Sequence, residues 1–121
     1  MLGRVIGSTR TYPIRVGGTS GPGYEDQREI SWDTLKQPEE RTTVTNKVRR
    51  VFTFSWDQIA EAIWINQPND LFLNFCNYMA NDAVEKLVHN LNSVMALHGP
   101  NGAKVHYLGW GPNVDNIEEI G

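Results

Sequence analysis

Three hydroxyls and three cations fall within nine residues: Thr42-Thr43-Val44-Thr45-Asn46-Lys47-Val48-Arg49-Arg50. Threonine hydroxyls and free backbone N–H groups hold a carboxylate, and an arginine fork grips one with two parallel bonds. This points to retention of a small anion. The same residues also suit a polar loop feeding an exposed strand whose charges face water, and composition leaves both readings open.

Two further groups of residues invite a chemical reading. Thr11-Tyr12-Pro13-Ile14-Arg15-Val16-Gly17-Gly18 runs into a glycine-rich loop. Such glycines let backbone amides approach a sugar or phosphate, although a strand followed by a turn accounts for the same sequence. Farther along, residues 75–79 and 109–113 read as two loops at strand ends. The turn Gly109-Trp110-Gly111-Pro112 would set backbone groups and an indole beside a flat base, with Asn74 and Asn77 at that base's edge. A plain turn beside a buried tryptophan fits equally.

Other chemistry is discouraged. No G-x-x-x-x-G-K-[ST] phosphate loop occurs. His89, His98 and His106 lack partners at metal-ligand spacing, and no residue presents itself as a general base. His89 reads as a packing residue of a helix. The lone Cys76 lies in an apolar stretch and reads as a buried structural thiol, and a single cysteine suits a reducing, cytoplasmic compartment. A formal charge of −3 argues against general nucleic-acid binding. No charged start leads into a long apolar run, so neither a signal peptide nor a spanning helix is expected.

The elements that must position these residues follow from pattern. With 121 residues and 40% hydrophobic content, the chain suits one small domain or a piece of a larger one. Residues 5–8 and 12–16 are expected as short strands. Residues 24–47 are expected to be mostly irregular, with Ile30-Ser31-Trp32 extended. Residues 48–54 read as a strand or an extended approach to a helix. Ser55-Trp56-Asp57-Gln58 has capping-box spacing, and Trp56, Ile59, Ala60 and Ile63 then share a helical face that ends near Asn66. Residues 71–75 suit a buried strand. A second helix is expected from Asn81 or Asp82, with Glu85 in its first turn, carrying Val84, Leu87, Val88, Leu91 and Met95 on one face and stopping by Gly99-Pro100. Residues 103–108 are the next strand. Residues 71–108 therefore predict a strand-helix-strand crossover, which places ligands at the carboxyl ends of its strands. The expected fold class is α/β: a small mixed, partly parallel sheet with two main helices.

Taken in order, Gly3-Arg4-Val5-Ile6-Gly7, Thr11 to Gly17, Ser20-Gly21-Pro22 and Glu29-Ile30-Ser31-Trp32 resemble the approach to the aspartate loop of adenylosuccinate synthetases. Thr43-Val44-Thr45-Asn46-Lys47-Val48-Arg49-Arg50 resembles that loop, and Gly109-Trp110-Gly111-Pro112 resembles the family's terminal base-binding turn. The similarity covers nearly the whole chain and corresponds to the carboxy-terminal part of the family, nearest the phage-type branch that acts on dGMP. The family joins L-aspartate to the 6-oxygen position of a purine nucleotide. A nucleoside triphosphate phosphorylates that oxygen, and the aspartate amine then displaces phosphate.

The resemblance implies that Thr45, Lys47 and Arg49 bind the aspartate carboxylates, with Thr43 and Arg50 nearby. It implies that the backbone of Val16 and Gly17 meets the acceptor's ribose, and that Asn74, Phe75, Asn77, Gly111 and Pro112 hold the donor base. It divides the chain into a nucleotide and aspartate-loop region, residues 1–50, and a donor-base region, residues 51–121. Asn46-Lys47 replaces the usual Gly-Arg, which keeps charge but loses the fork. Phe75 and Asn77 replace a guanine-reading Lys-x-Asp. Asparagine offers one donor and one acceptor, which suits adenine and predicts ATP or dATP over GTP. The acceptor is dGMP or IMP. The family's phosphate loop and its catalytic aspartate and histidine lie outside this sequence. No catalytic residue, no metal ligand and no activity of the chain alone are therefore expected, and Mg2+ and the triphosphate belong to the complete enzyme. Expected partners are L-aspartate, purine nucleotides and the amino-terminal part of a synthetase, or a second copy across an uncovered apolar face, in a host's cytoplasm if phage-encoded. A non-catalytic nucleotide-binding or interaction module derived from that enzyme is the alternative.

Overall fold

A computed structural model describes residues 4–15, 17 and 21–121. In chain order the elements are β1 (Ile6–Arg10), β2 (Ile14–Arg15), β3 (Glu29–Ile30), α1 (Trp32–Leu35), β4 (Arg50–Phe52), α2 (Trp56–Asn66), β5 (Asp70–Asn74), α3 (Asn81–His98), β6 (Lys104–Gly109) and β7 (Ile117–Glu119). Two short 3-10 turns, Cys76–Tyr78 and Val114–Asn116, sit in the connections.

The larger sheet has the order β1-β5-β6-β7, with β1, β5 and β6 parallel and β7 antiparallel. α3 supplies the crossover that a parallel β5–β6 pair requires. The α/β class and the partly parallel sheet with two main helices are as expected. α2 starts where Ser55 accepts the Gln58 amide, and it ends where Gln67 turns into the left-handed region and donates to the Ile63 carbonyl. Ile59 and Ile63 of α2 and Val84, Leu87, Leu91 and Met95 of α3 pack against Leu71, Leu73, Val105 and Leu108 of the sheet. Each fully buried aliphatic side chain contributes roughly 1.5–3 kcal/mol, so this layer is the main support of the strand ends.

The smaller sheet is antiparallel, in the order β2-β4-β3, and pairs Ile14 and Ile30 with Val51. Val51 and Phe52 are buried. Several expectations are corrected here. Trp32 is not extended: it opens α1, because the Ser31 side chain accepts from the Thr34 amide. Residues 24–47 thus hold a strand and a helical turn. The strand expected over residues 48–54 contracts to Arg50–Phe52, and Val48 instead bridges to Arg41. β1 begins at Ile6 and runs to Arg10. Of the strand expected over residues 12–16, Ile14–Arg15 pairs, and Val16 lies outside the described residues. α3 has Ala80 at its cap with no side-chain cap bond, and its first-turn acid is Asp82 rather than Glu85. Among the described residues no helix is long and apolar enough to cross a membrane.

Candidate functional site

The parallel register aligns Arg10 with Asn74 and Leu73 with Leu108, so β1, β5 and β6 finish at one edge. Asn74 and Gly109 pack closely there. A Cβ on Gly109 would overlap the Asn74 side-chain oxygen and stand 2.9 Å from the Phe72 ring. That oxygen accepts the Phe75 amide at 2.8 Å. Buried Thr11 closes the other side: its amide donates to the Asn74 carbonyl at 3.1 Å and its hydroxyl to the Phe75 carbonyl at 2.7 Å. These bonds hold Phe75 at φ 60, a left-handed conformation that costs a residue with a Cβ about 1–2 kcal/mol.

The chain then turns through Cys76–Tyr78. Cys76 is buried, its Sγ donates to the Leu73 carbonyl, and burial pushes its thiol up to about 11, so it is an inert packing group. The Phe75 ring has Arg10 over it, with Cζ 3.7 Å from the centroid, and the Tyr78 ring at 5.1 Å. Arg10 in turn forks onto Glu40, at 2.6 and 3.3 Å, and the Tyr78 hydroxyl donates to the same carboxylate at 3.1 Å. Burial, and then the Glu40 charge and hydrogen bond, raise the Tyr78 phenol above its ordinary value. Asn74 therefore spends its oxygen inward on the Phe75 backbone, while Asn77 is exposed.

The neighbouring turn is organised by Asn116. Its carbonyl accepts the Trp110 amide at 2.9 Å, and its side-chain oxygen accepts the Asn113 amide at 3.1 Å. A Cβ on Gly111 would stand 2.7 Å from that side-chain oxygen. Pro112 is exposed, and half-buried Trp110 donates its indole N–H to Glu118.

The cationic loop is closed by its own backbone. Thr42 donates to the Lys47 carbonyl at 2.9 Å, and the Asn46 amide donates to the Thr42 carbonyl at 3.0 Å, with Asn46 at φ 54. The Thr42 hydroxyl accepts the Lys47 amide and bonds the Thr45 hydroxyl at 2.6 Å. Thr43, Thr45 and Lys47 are exposed, and Val44 is 93% exposed. Arg49 is fixed through its backbone: its amide donates to the Glu40 carbonyl at 2.7 Å, and its carbonyl accepts the Trp32 indole N–H at 2.9 Å. Arg49 lines a cavity of about 270 Å³ with Ile14, Arg15 and Thr42. Arg50 is engaged elsewhere, forked onto Glu29 at 2.9 and 3.1 Å and donating to the Gly21 carbonyl.

Two groups of the candidate residues are thus assembled. Gly17 lies against the loop, since a Cβ there would run into the Val48 carbonyl, so its backbone stands beside Lys47 and Val48. Asn74, Phe75 and the turn at Gly111 share the sheet edge. Arg10, Glu40 and Tyr78 were not singled out by the sequence, because their roles come from contacts across up to 38 residues.

Parallel strands whose ends gather loops at one edge are the arrangement of ligand-binding α/β proteins. No protein-family model matches the chain. It is 50% identical over 118 residues to N6-succino-2-amino-2'-deoxyadenylate synthase of Vibrio phage phiVC8, covering 98% of this chain and 34% of that protein. It is 38% identical over 128 residues to the synthase of the same name from Acinetobacter phage SH-Ab 15497, covering 98% of this chain and 32% of that protein. A structure of the Cyanophage S-2L succinoaminodeoxyadenylate synthetase, bound to dGMP and to dATP as an energy donor, superposes with a TM-score of 0.80 at 39% identity, covering 96% of this chain and 33% of that one. The chain is a homologue of the phage N6-succino-2-amino-2'-deoxyadenylate synthases and corresponds to their carboxy-terminal part, spanning about a third of their length.

Proposed function

We propose that this chain is the substrate-holding part of a ligase that joins L-aspartate to dGMP with dATP as the phosphate donor. The supporting observation is the near-complete match to one third of the phage synthases, one of which holds both nucleotides. In this reading Thr43, Thr45, Lys47 and Arg49 face the aspartate carboxylates. Val16 and Gly17 offer backbone to the acceptor's ribose. Phe75 and Asn77, with Gly111 and Pro112, take the donor base, and Asn74 shapes that loop from within. Arg50 serves the site by tying β4 to Glu29 and Gly21. IMP is the competing acceptor, and ATP and GTP are the competing donors.

The reaction asks two things of these residues: to hold the aspartate amine in line with the purine C6, and to seat the base while phosphate passes to O6 and then leaves. Among the described residues no three or more His, Cys, Asp and Glu side chains gather as a metal-ligand group. β1 is an edge of its sheet, and Ile6, 58% exposed, lines a cavity of about 270 Å³ with Ile59, Ala62 and Asn66 of α2. We assign that face to the remainder of a synthase, with a homodimer as the competing use.

The test is calorimetry of the purified chain with L-aspartate, dGMP, dATP and GTP, followed by turnover after adding the remaining two thirds of the phiVC8 synthase. The chain alone should form no product, should prefer dATP to GTP, and should restore turnover on mixing. Binding with no restored turnover would favour the non-catalytic module. Binding of none of the four ligands would sink the reading.

A further inference from the structure

We propose that Glu40 is a positioning residue that couples occupancy of the donor-base loop, residues 75–79, to the conformation of the carboxylate loop, residues 41–49. The inference rests on the donor-base and aspartate roles proposed above. It goes beyond them because it joins two loops that share no residue.

The argument is one of connectivity. Two neighbours of the Phe75 ring end on one carboxylate: Arg10 lies over the ring and forks onto Glu40, and Tyr78 packs beside the ring and donates to Glu40 Oε2. A purine that stacks on Phe75 packs beside Arg10 and Tyr78, and a shift of either pulls on Glu40. The backbone of Glu40 is tied to the other loop. Its carbonyl accepts the Arg49 amide at 2.7 Å, and the next residue, Arg41, bridges to Val48 and donates to the Asn46 carbonyl. Glu40 thus sits at the foot of the carboxylate loop with its side chain in the base loop. Arg10 and Glu40 are 19% and 24% exposed, so the pair is largely shielded from screening by water and salt. A pair that merely stitched two segments together would not need two neighbours of one aromatic ring on the same carboxylate.

Spatial intermediacy alone does not demonstrate coupling, so the test reads transmission directly. The 15N-labelled chain is titrated with dATP, and L-aspartate affinity is measured with and without saturating dATP. In the wild type, dATP should shift the amides of residues 76–79 and also those of residues 42–49, and should tighten aspartate binding about fivefold, near the lower end of usual coupling factors. In Glu40→Gln the shifts at residues 76–79 should persist. Those at residues 42–49 should vanish and the factor should fall to about one, since equal affinity in both states leaves nothing to transmit. Tyr78→Phe, which removes a single bond to the carboxylate, should give an intermediate factor and serves if Glu40→Gln does not fold. Arg10→Lys should restore part of what Arg10→Ala loses. dATP binding that never reaches residues 42–49, or an unchanged factor in the Glu40 and Tyr78 variants, overturns the coupling alone. Absence of any dATP shift overturns the donor-base reading and the coupling with it.

Discussion

Gly109→Ala is the sharpest perturbation of the sheet edge. The added methyl would clash with the Asn74 side-chain oxygen and press on the Phe72 ring at 2.9 Å. Asn74 can swing away, but its oxygen then leaves the Phe75 amide that it accepts at 2.8 Å. Loss of that bond costs about 1 kcal/mol, and crowding a packed site by one methyl costs roughly 1–3 kcal/mol. The expected loss is thus about 2–4 kcal/mol, a fall in Tm on the order of 10 °C for a chain of this size. Release of the left-handed Phe75 should also weaken dATP binding more than aspartate binding. Urea unfolding followed by tryptophan fluorescence measures the first effect and calorimetry the second. The structural cause is isolated by Asn74→Ala, expected to cost about 1 kcal/mol alone, and by the double variant. Removing the carboxamide makes room for the methyl, so the double variant should lose no more than about 2 kcal/mol, well short of the sum. Strict additivity, or a neutral Gly109→Ala, would refute the argued contact.

Other consequences can be measured on the same protein. Ser55→Ala removes the acceptor for the Gln58 amide at the start of α2, and should cost about 1 kcal/mol and speed amide exchange in that first turn. The Asp70 carboxyl is held below the usual carboxylate range, first by its hydrogen bond from Arg4, with His106 adding to the effect against burial. Its contribution to stability is therefore full above the ordinary carboxylate pKa of about 4 and is lost as pH falls through the lowered value. Asp70→Asn should be less stable near neutrality and should show a shallower acid limb, and an unchanged limb would count against the pair. With its thiol raised to about 11, Cys76 should react slowly with a disulfide reagent in the native state and rapidly in urea; fast native labelling would contradict its burial. Arg49→Ala should weaken aspartate binding with little change in Tm. Arg50→Ala, which breaks the fork on Glu29, should lower Tm, and the reverse pattern would show that the two arginines have been assigned the wrong way round.

What could be read from the sequence was local. The Ser55 hydroxyl three residues before Gln58 and the spacing of Val84, Leu87, Leu91 and Met95 each carry their meaning within a few turns of helix, and both helices stand where that pattern places them. The parallel crossover follows from its length. The smaller sheet has no such signal, because Ile14–Arg15, Glu29–Ile30 and Arg50–Phe52 are too short to show a period and become strands by pairing with one another. Trp32 also has an anchor that no local pattern shows: the group that receives its indole N–H is a carbonyl 17 residues away.

The candidate site divides along the same line. Counting hydroxyls and cations finds the loop at Thr43, Thr45 and Lys47, but counts Arg49 and Arg50 alike. Successive side chains of an extended chain point to opposite sides. Arg49, immediately before β4, lines the cavity beside Thr42, whereas Arg50 forks onto Glu29 of the adjacent strand. Adjacent arginines entering a strand therefore divide between the cavity and the scaffold. Composition cannot say which is which, since the answer depends on Glu29, which is 21 residues away in sequence.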